Sequence, residues 1–212
     1  MTKIEWCDET RNPVKGLCRY GCDYCYARKI QRRFHFPGLV SLELTVFSDL
    51  PKSPRDVFVG SMHDILGEWI PDAWIQDIIA CCEARPLHRY FFLSKNPARF
   101  ALFKWPRNSW LGTSAENREA ADKRLADLRT SRHPNLFVSF EPILDRIAYA
   151  DLSRIKWVII GGLSPRPRHE KEWVEKLAAT ADAVGIPVFI KDNAQHFGMR
   201  RQKPPLVWQR PH

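Results

Sequence analysis

The chain has no run of apolar residues approaching the ~18 that a membrane-spanning helix needs, and no charged-then-apolar leader at its start. No membrane span and no secretory signal are expected, and the protein is read as cytoplasmic. Acidic residues are also in short supply: 24 Asp and Glu stand against 33 Lys and Arg, giving a formal charge of +9. That excess favours a polyanionic partner, DNA or RNA, because neutralising phosphates releases counterions and steers encounter. Cysteine is sparse, with six residues. A reducing compartment argues against disulfides, so thiols that gather are read as metal ligands. What is abundant is aromatic: eight Trp and twelve Phe can fill a core and leave stacking surfaces over. At 212 residues the chain suits one α/β domain, 1–212, and a monomer is expected.

Three of the six cysteines fall in one loop, Cys18-Arg-Tyr-Gly-Cys22-Asp-Tyr-Cys25, opened by Asn12-Pro13 and Gly16. The spacing is CxxxCxxC. Iron-sulfur clusters are held by thiolates and usually want four, so three ligands leave one iron open, and an open position distinguishes a reactive site from a structural one. Two closed alternatives stand beside it. Zinc would be completed by Cys7 or His35, and a structural cluster would take a fourth ligand of its own. Cys81 and Cys82 lie in a helix-periodic stretch and are read as small buried hydrophobes.

Along the rest of the chain a short apolar run ends in polar residues, and a helical segment follows. Ile4-Glu5-Trp6 is expected as the first strand, leading into a cluster loop over 12–26, with a basic helix from Tyr26 to Phe34 after it. Leu42 to Phe47 is read as an extra strand or an irregular connection. From residue 57 the pattern repeats: Val57-Phe58-Val59 before Ser61 and Asp64, Tyr90 to Leu93 before Ser94 and Lys95, and Trp110 to Gly112 before Ser114 and Glu116. It continues with Leu136 to Val138 before Glu141, Trp157 to Ile160 before Ser164, and Val188 to Ile190 before Lys191. Helices are expected from Asp72, from Ala98 to Phe103, behind an Asn117 cap to Arg129, and from Glu170 to Val184. Strands alternating with helices predict a parallel sheet with helices outside it. In barrel-like α/β folds the site gathers at the strands' C-terminal ends, where these polar residues fall.

The cysteine spacing, with Tyr24 before the last thiol, resembles the signature of the radical S-adenosylmethionine (SAM) superfamily. Nearly the whole chain resembles a small, phage-associated family of radical-SAM-like proteins of undefined function. The likeness is carried by Ile4-Glu5-Trp6, Asn12-Pro13, Cys25-Tyr26-Ala27, Phe58 to Asp64, Leu111 to Asn117, Ser139 to Pro142 and Trp157 to Gly162. The resemblance implies a partial (β/α)6 barrel of TIM-barrel type, a 4Fe-4S cluster on Cys18, Cys22 and Cys25, and SAM on the open iron. Reductive cleavage of SAM would then give a 5′-deoxyadenosyl radical, with a flavodoxin or ferredoxin supplying the electron. Two departures fall at strand ends. Gly161-Gly162-Leu163-Ser164-Pro165 replaces Gly-Gly-Glu-Ser-Gly, and Lys191-Asp192-Asn193-Ala194 replaces Lys-Gln-Trp-Gly.

On that resemblance, Tyr24 would flank the SAM adenine and the Ser61 to Asp64 turn would accept from the methionine amino group. Ser94, Lys95, Ser114, Glu116 and Glu141 would meet the SAM ribose, the SAM carboxylate or the substrate, with Lys95 a natural carboxylate partner. Cys7, more often Thr in the family, would donate a hydrogen atom to a product radical, as a cysteine does in spore photoproduct lyase. The basic helix, Arg166 and Arg168, and a basic C-terminal tail at about 194–212 from Arg200 to Arg210 suit a nucleic acid at the barrel mouth. The leading expectation is a radical SAM enzyme that modifies or repairs a nucleic acid or nucleotide base. The alternatives are radical chemistry on a peptide or small metabolite, and a non-catalytic iron-sulfur module for redox or nucleic-acid binding.

Overall fold

The computed structural model describes residues 4–35, 38–164, 168–194 and 201–205. Arg166, Arg200 and Arg210 lie outside them. The chain divides into two compact units, residues 1–96 with 103–110, and 97–102 with 111–212.

In the first unit the strands are β1 (Glu9–Arg11), the two-residue β2 (Val14–Lys15) and β3 (Ser41–Leu42), β4 (Asp56–Val59), β5 (Arg89–Ser94) and the opening residues of β6 (Ser109–Ser114). Helix α1 is Tyr26–Arg33 and α2 is Asp72–Glu83. The order is β1-β4-β5, all parallel, with Thr10 level with Phe58 and Phe58 level with Phe91. β2 and β3 form a separate antiparallel pair, and a 3-10 turn at Leu44–Phe47 follows it. Every residue of β4 is buried, as expected for a parallel strand covered on both faces. Helix α2 turns Ile75, Ile78, Ile79 and Cys82 inward. Asp56 opens β4 with a bidentate pair to Arg89, at 2.6 and 2.7 Å.

The first strand is not where the apolar pattern put it. Ile4 to Cys7 form a turn that drives Trp6 into the core, 4.8 Å from Phe58 and 5.7 Å from Phe91 by ring centroids. The strand is the polar Glu9-Thr10-Arg11. It is paired on one side only, so it needs no continuous apolar face. Cys81 is half-buried, whereas Cys82 is fully buried.

In the second unit the remainder of β6 is followed by α3 (Arg118–Arg129), β7 (Leu136–Phe140), β8 (Ile155–Ile160), α4 (Lys171–Asp182) and β9 (Val188–Ile190). Strands β6 to β9 are parallel and sequential, and α3 packs on β7 while α4 packs on β8 and β9. The Asn117 side chain caps α3 by accepting from the Ala120 N–H at 2.8 Å. Seven strands of the described residues thus run in parallel ladders, with α-helices in the connections after β1, β4, β6 and β8, a 3-10 turn after β5 and no helix after β7, which is the expected α/β class. Of the basic C-terminal tail expected at about 194–212, residues 194 and 201–205 are among those described, and 201–202 pack against β8 and β9. Gln202 accepts from Val188 N–H and its carbonyl takes the Trp157 indole N–H, while Arg201 pairs with Asp192 and lies over the Phe189 ring.

No helix among the described residues is long and apolar enough to cross a membrane.

Candidate functional site

The cysteine loop leaves the C-terminal end of β1 and is tied down through backbone carbonyls. Asn12 Oδ1 accepts from Ser61 Oγ at 3.1 Å and from Met62 N–H at 2.8 Å, joining the loop's first residue to the turn after β4. Gly16 sits at φ +93, and a Cβ there would lie 2.4 Å from the Leu39 carbonyl oxygen, so both conformation and space require glycine. The Gly16 carbonyl accepts from the buried Gln31 amide at 2.7 Å, which also reaches the Met62 carbonyl at 3.2 Å. His63 completes the tie. The Trp69 indole can only donate, and it donates to His63 Nε2 at 2.9 Å, so the proton sits on Nδ1, 3.3 Å from the Gly16 carbonyl. The ring is thereby fixed neutral, and burial lowers its pKa in the same direction. Tyr20 packs edge-on against Trp69 at 5.0 Å.

The three thiols then fall as follows. Cys25 is the N-cap of α1, its Sγ accepting from Arg28 N–H at 3.4 Å, and its own N–H donates to the Cys22 carbonyl at 3.1 Å. Cys22 and Cys25 line a cavity of about 190 Å³ with Asp23, Arg28, Lys29 and Arg32. Cys18 is half-buried, and burial raises its pKa although the backbone N–H groups of Asp64 and Tyr20 pull the other way; Cys25 and the Asp64 carboxylate are near enough to add to the rise. As the side chains stand, no three His, Cys, Asp or Glu of the described residues are gathered to hold a metal ion. Ligation therefore needs the thiols to turn toward one another within the loop. The donor set itself fits an iron-sulfur cluster: three thiols in one loop, two of them on a cavity whose cations would offset the charge of thiolate ligation.

Neither expected fourth ligand is beside them. Cys7 precedes β1, level with the start of β4, since Asp8 N–H donates to the Asp56 carbonyl. Three strand residues, ~10 Å, separate that end from the loop. The hydrogen-donor reading placed this thiol at the far end of the first strand; with the strand shifted to Glu9–Arg11, it is buried at the near one. His35 lies beyond the C-terminus of α1, ~12 Å along the helix from Cys25.

Beside the loop, the ends of β4 and β5 converge on Asp64. Its carboxylate accepts from Leu66 N–H at 3.0 Å, Ser94 Oγ at 2.8 Å and Lys95 N–H at 2.8 Å. Burial nonetheless pushes its pKa up, the three hydrogen bonds and Lys95 opposing. Lys95 Nζ donates to the Tyr24 hydroxyl at 2.6 Å and lies 5.2 Å from the ring centre, linking the strand end to the residue before Cys25. Tyr24, Ser61, Asp64, Ser94 and Lys95 are thus brought together with the three cysteines within the first unit.

The second unit holds the remaining strand-end residues. Glu116 is buried and pairs with Arg124 at 2.7 Å, and the same guanidinium takes the Ser114 carbonyl at 2.9 Å. Glu141 pairs closely with Lys191, and a Cβ on Gly161 would lie 2.9 Å from its carboxyl carbon, so that glycine makes the carboxylate's room. In the segment Lys191-Asp192-Asn193-Ala194, Asn193 does structural work. Its side-chain amide exchanges two hydrogen bonds with the Gly162 backbone and gives a third to Ser164 Oγ.

The residues that sequence reasoning missed are Gln31 and Trp69, with no role foreseen for Asn12 and His63. Only Asn12, in an Asn-Pro step, and His63, between a strand end and Asp64, carried a local signal. No curated protein and no solved structure matches the chain. A family model described as a protein of unknown function (DUF5131) matches residues 1–205, so the chain belongs to the DUF5131 family.

Proposed function

We propose that this protein is a radical SAM-type enzyme with a partial (β/α)6 fold, acting in the cytoplasm on a nucleic acid or nucleotide base. The observation that carries the reading is the convergence, in one unit, of the three-thiol loop with the Asp64, Ser94, Lys95 and Tyr24 cluster at the strand ends. Cys18, Cys22 and Cys25 would hold a 4Fe-4S cluster. When bound, such a cluster supplies an electron at an iron with an open position, and a flavodoxin or ferredoxin would replenish it.

The chain's own residues prepare a zwitterionic ligand. Lys95 offers a cation to a carboxylate. The Ser61 carbonyl and the Asp64 carboxylate offer acceptors to an ammonium, and a bound ammonium would oppose the rise that burial gives Asp64. Tyr24, held by Lys95 through its hydroxyl, presents an oriented ring to a base. Asn12, Gln31 and His63 act as positioning residues that fix the loop to the turn carrying Ser61 and Asp64. In the second unit the side chains of Glu116 and Glu141 are engaged by Arg124 and Lys191.

The test is anaerobic reconstitution with iron and sulfide, followed by SAM and dithionite. A cluster spectrum perturbed by SAM, with 5′-deoxyadenosine formed, is expected. An intact cluster indifferent to SAM would overturn the assignment, and Cys22→Ala should abolish iron loading as well as product.

A further inference from the structure

Helix α1 buries only Ala27 and Gln31, leaving most of its circumference in solvent. What it exposes is ordered. Arg28 and Arg32 form one row at i, i+4, and Lys29 and Arg33 a second. Tyr26, Ile30 and Phe34 form a third at i, i+4, i+8, with 51 %, 38 % and 63 % of their surfaces exposed. Among the described residues none of the four cations forms an ion pair with a carboxylate: Arg28 donates to the Gly21 carbonyl, and Arg33 lies 5.7 Å from the Phe34 ring centre. The first turn contains no acidic residue, so Arg28 also stands against the helix dipole. Like charges at i, i+4 and a cation near the N-terminus both weaken a helix, and a bound polyanion removes both costs.

We infer that this outer face of α1 binds single-stranded nucleic acid, its two cationic rows following the phosphates and Tyr26 and Phe34 stacking on bases. Paired cationic and aromatic rows are the device by which single strands are held without sequence preference. A duplex keeps its base faces covered and would leave the aromatic row without use. Tyr26 is already oriented, its hydroxyl donating to the Ser61 carbonyl at 2.8 Å, so stacking on it orders little that is free. The cationic rows border the Cys22 and Cys25 cavity, so a strand on this face passes beside the candidate site. The inference deepens the nucleic-acid part of the proposed function and does not depend on the cluster.

The experiment is fluorescence anisotropy of the full-length protein with labelled single-stranded DNA and RNA of about 20 nucleotides, roughly the reach of one or two binding modules, across a salt series. Four phosphate contacts predict a slope of log affinity against log salt of about −3. The combined variant Lys29→Ala, Arg32→Ala, Arg33→Ala should flatten that slope by about 2. Phe34→Ala should weaken binding about tenfold and leave the slope alone. Circular dichroism would establish that both variants fold. Cys22→Ala should bind as the wild type does even though it loads no iron, which separates failure of this inference from failure of the cluster assignment. Lys123→Ala, on α3, should also leave binding unchanged. The inference is overturned by no binding at low salt, by wild-type affinity in the combined variant, by a preference for duplex, or by equal competition from polyglutamate. That last result would mark the face as a dock for an acidic protein.

Discussion

Three donors converge on the Asp64 carboxylate, and all three belong to the strand ends that the candidate site is built from. Asp64→Ala would leave two backbone N–H groups and a hydroxyl without their acceptor. Hydrogen bonds to a charged group contribute more than neutral ones, while release of a buried carboxylate offsets part of the loss, so a net cost of about 2–3 kcal/mol is expected in urea unfolding. A loss below ~0.5 kcal/mol would show that water replaces the carboxylate freely. His88 makes a second residue-scale prediction. It is 4 % exposed, its Nδ1 has no hydrogen-bond partner among the described residues, and burial followed by Arg11, Arg55 and Arg85 lowers its pKa. A folded-state pKa below the unfolded value means the unfolded chain takes up the proton first. Stability should then fall as pH drops through about 6.5 toward the folded-state value, with a slope below the full ~1.4 kcal/mol per pH unit. His88→Phe should flatten that stretch of the stability profile, and an unchanged profile would assign the acid sensitivity elsewhere.

At the scale of elements, Gln31 ties α1 to both the cysteine loop and the turn after β4, through the Gly16 and Met62 carbonyls. Gln31→Leu keeps the helix and the volume but removes both bonds. Amide exchange over 12–25 and 60–66 should accelerate several-fold, about 1 kcal/mol of local opening, while α2 exchanges as before. Equal acceleration everywhere would mean a global loss of stability and not a local tie. The same elements show what the sequence reveals and conceals. β4 and β5 were legible because a strand covered on both faces must be continuously apolar, and α3 was legible from Asn117. β1 was not, because a strand paired on one side can be Glu-Thr-Arg, while the apolar Ile4-Glu5-Trp6 beside it serves as a turn that plugs the core with Trp6. In the site, Asp64 and Lys95 could be found from their position after strands. Gln31 and Trp69 could not, since each acts on a carbonyl or ring nitrogen brought near only by folding.

For the whole molecule, charge is the property the sequence states most directly, and it bears on stability as well as on partners. The chain carries +9, and α1 concentrates four cations that form no ion pair with a carboxylate among the described residues, although Asp23 lines the cavity beside three of them. Exposed pairs such as Arg118 with Asp122 and Lys123 with Asp127 contribute little each, and salt weakens them. Repulsion among the excess cations is summed over many pairs and is weakened by the same salt, as the screening length falls from ~10 Å at 0.1 M to ~3 Å at 1 M. Repulsion outweighs the few exposed pairs in a chain with this imbalance, so the melting temperature should rise between those two concentrations of sodium chloride. A rise of about 2–4 °C corresponds to ~1 kcal/mol for a chain of this length. The combined Lys29→Ala, Arg32→Ala, Arg33→Ala variant, which removes the densest part of the excess, should melt higher than the wild type at 0.1 M and gain less from added salt. If salt lowers the melting temperature of both proteins equally, attractive pairs dominate the electrostatics and the cations of α1 carry no cost for a polyanion to relieve.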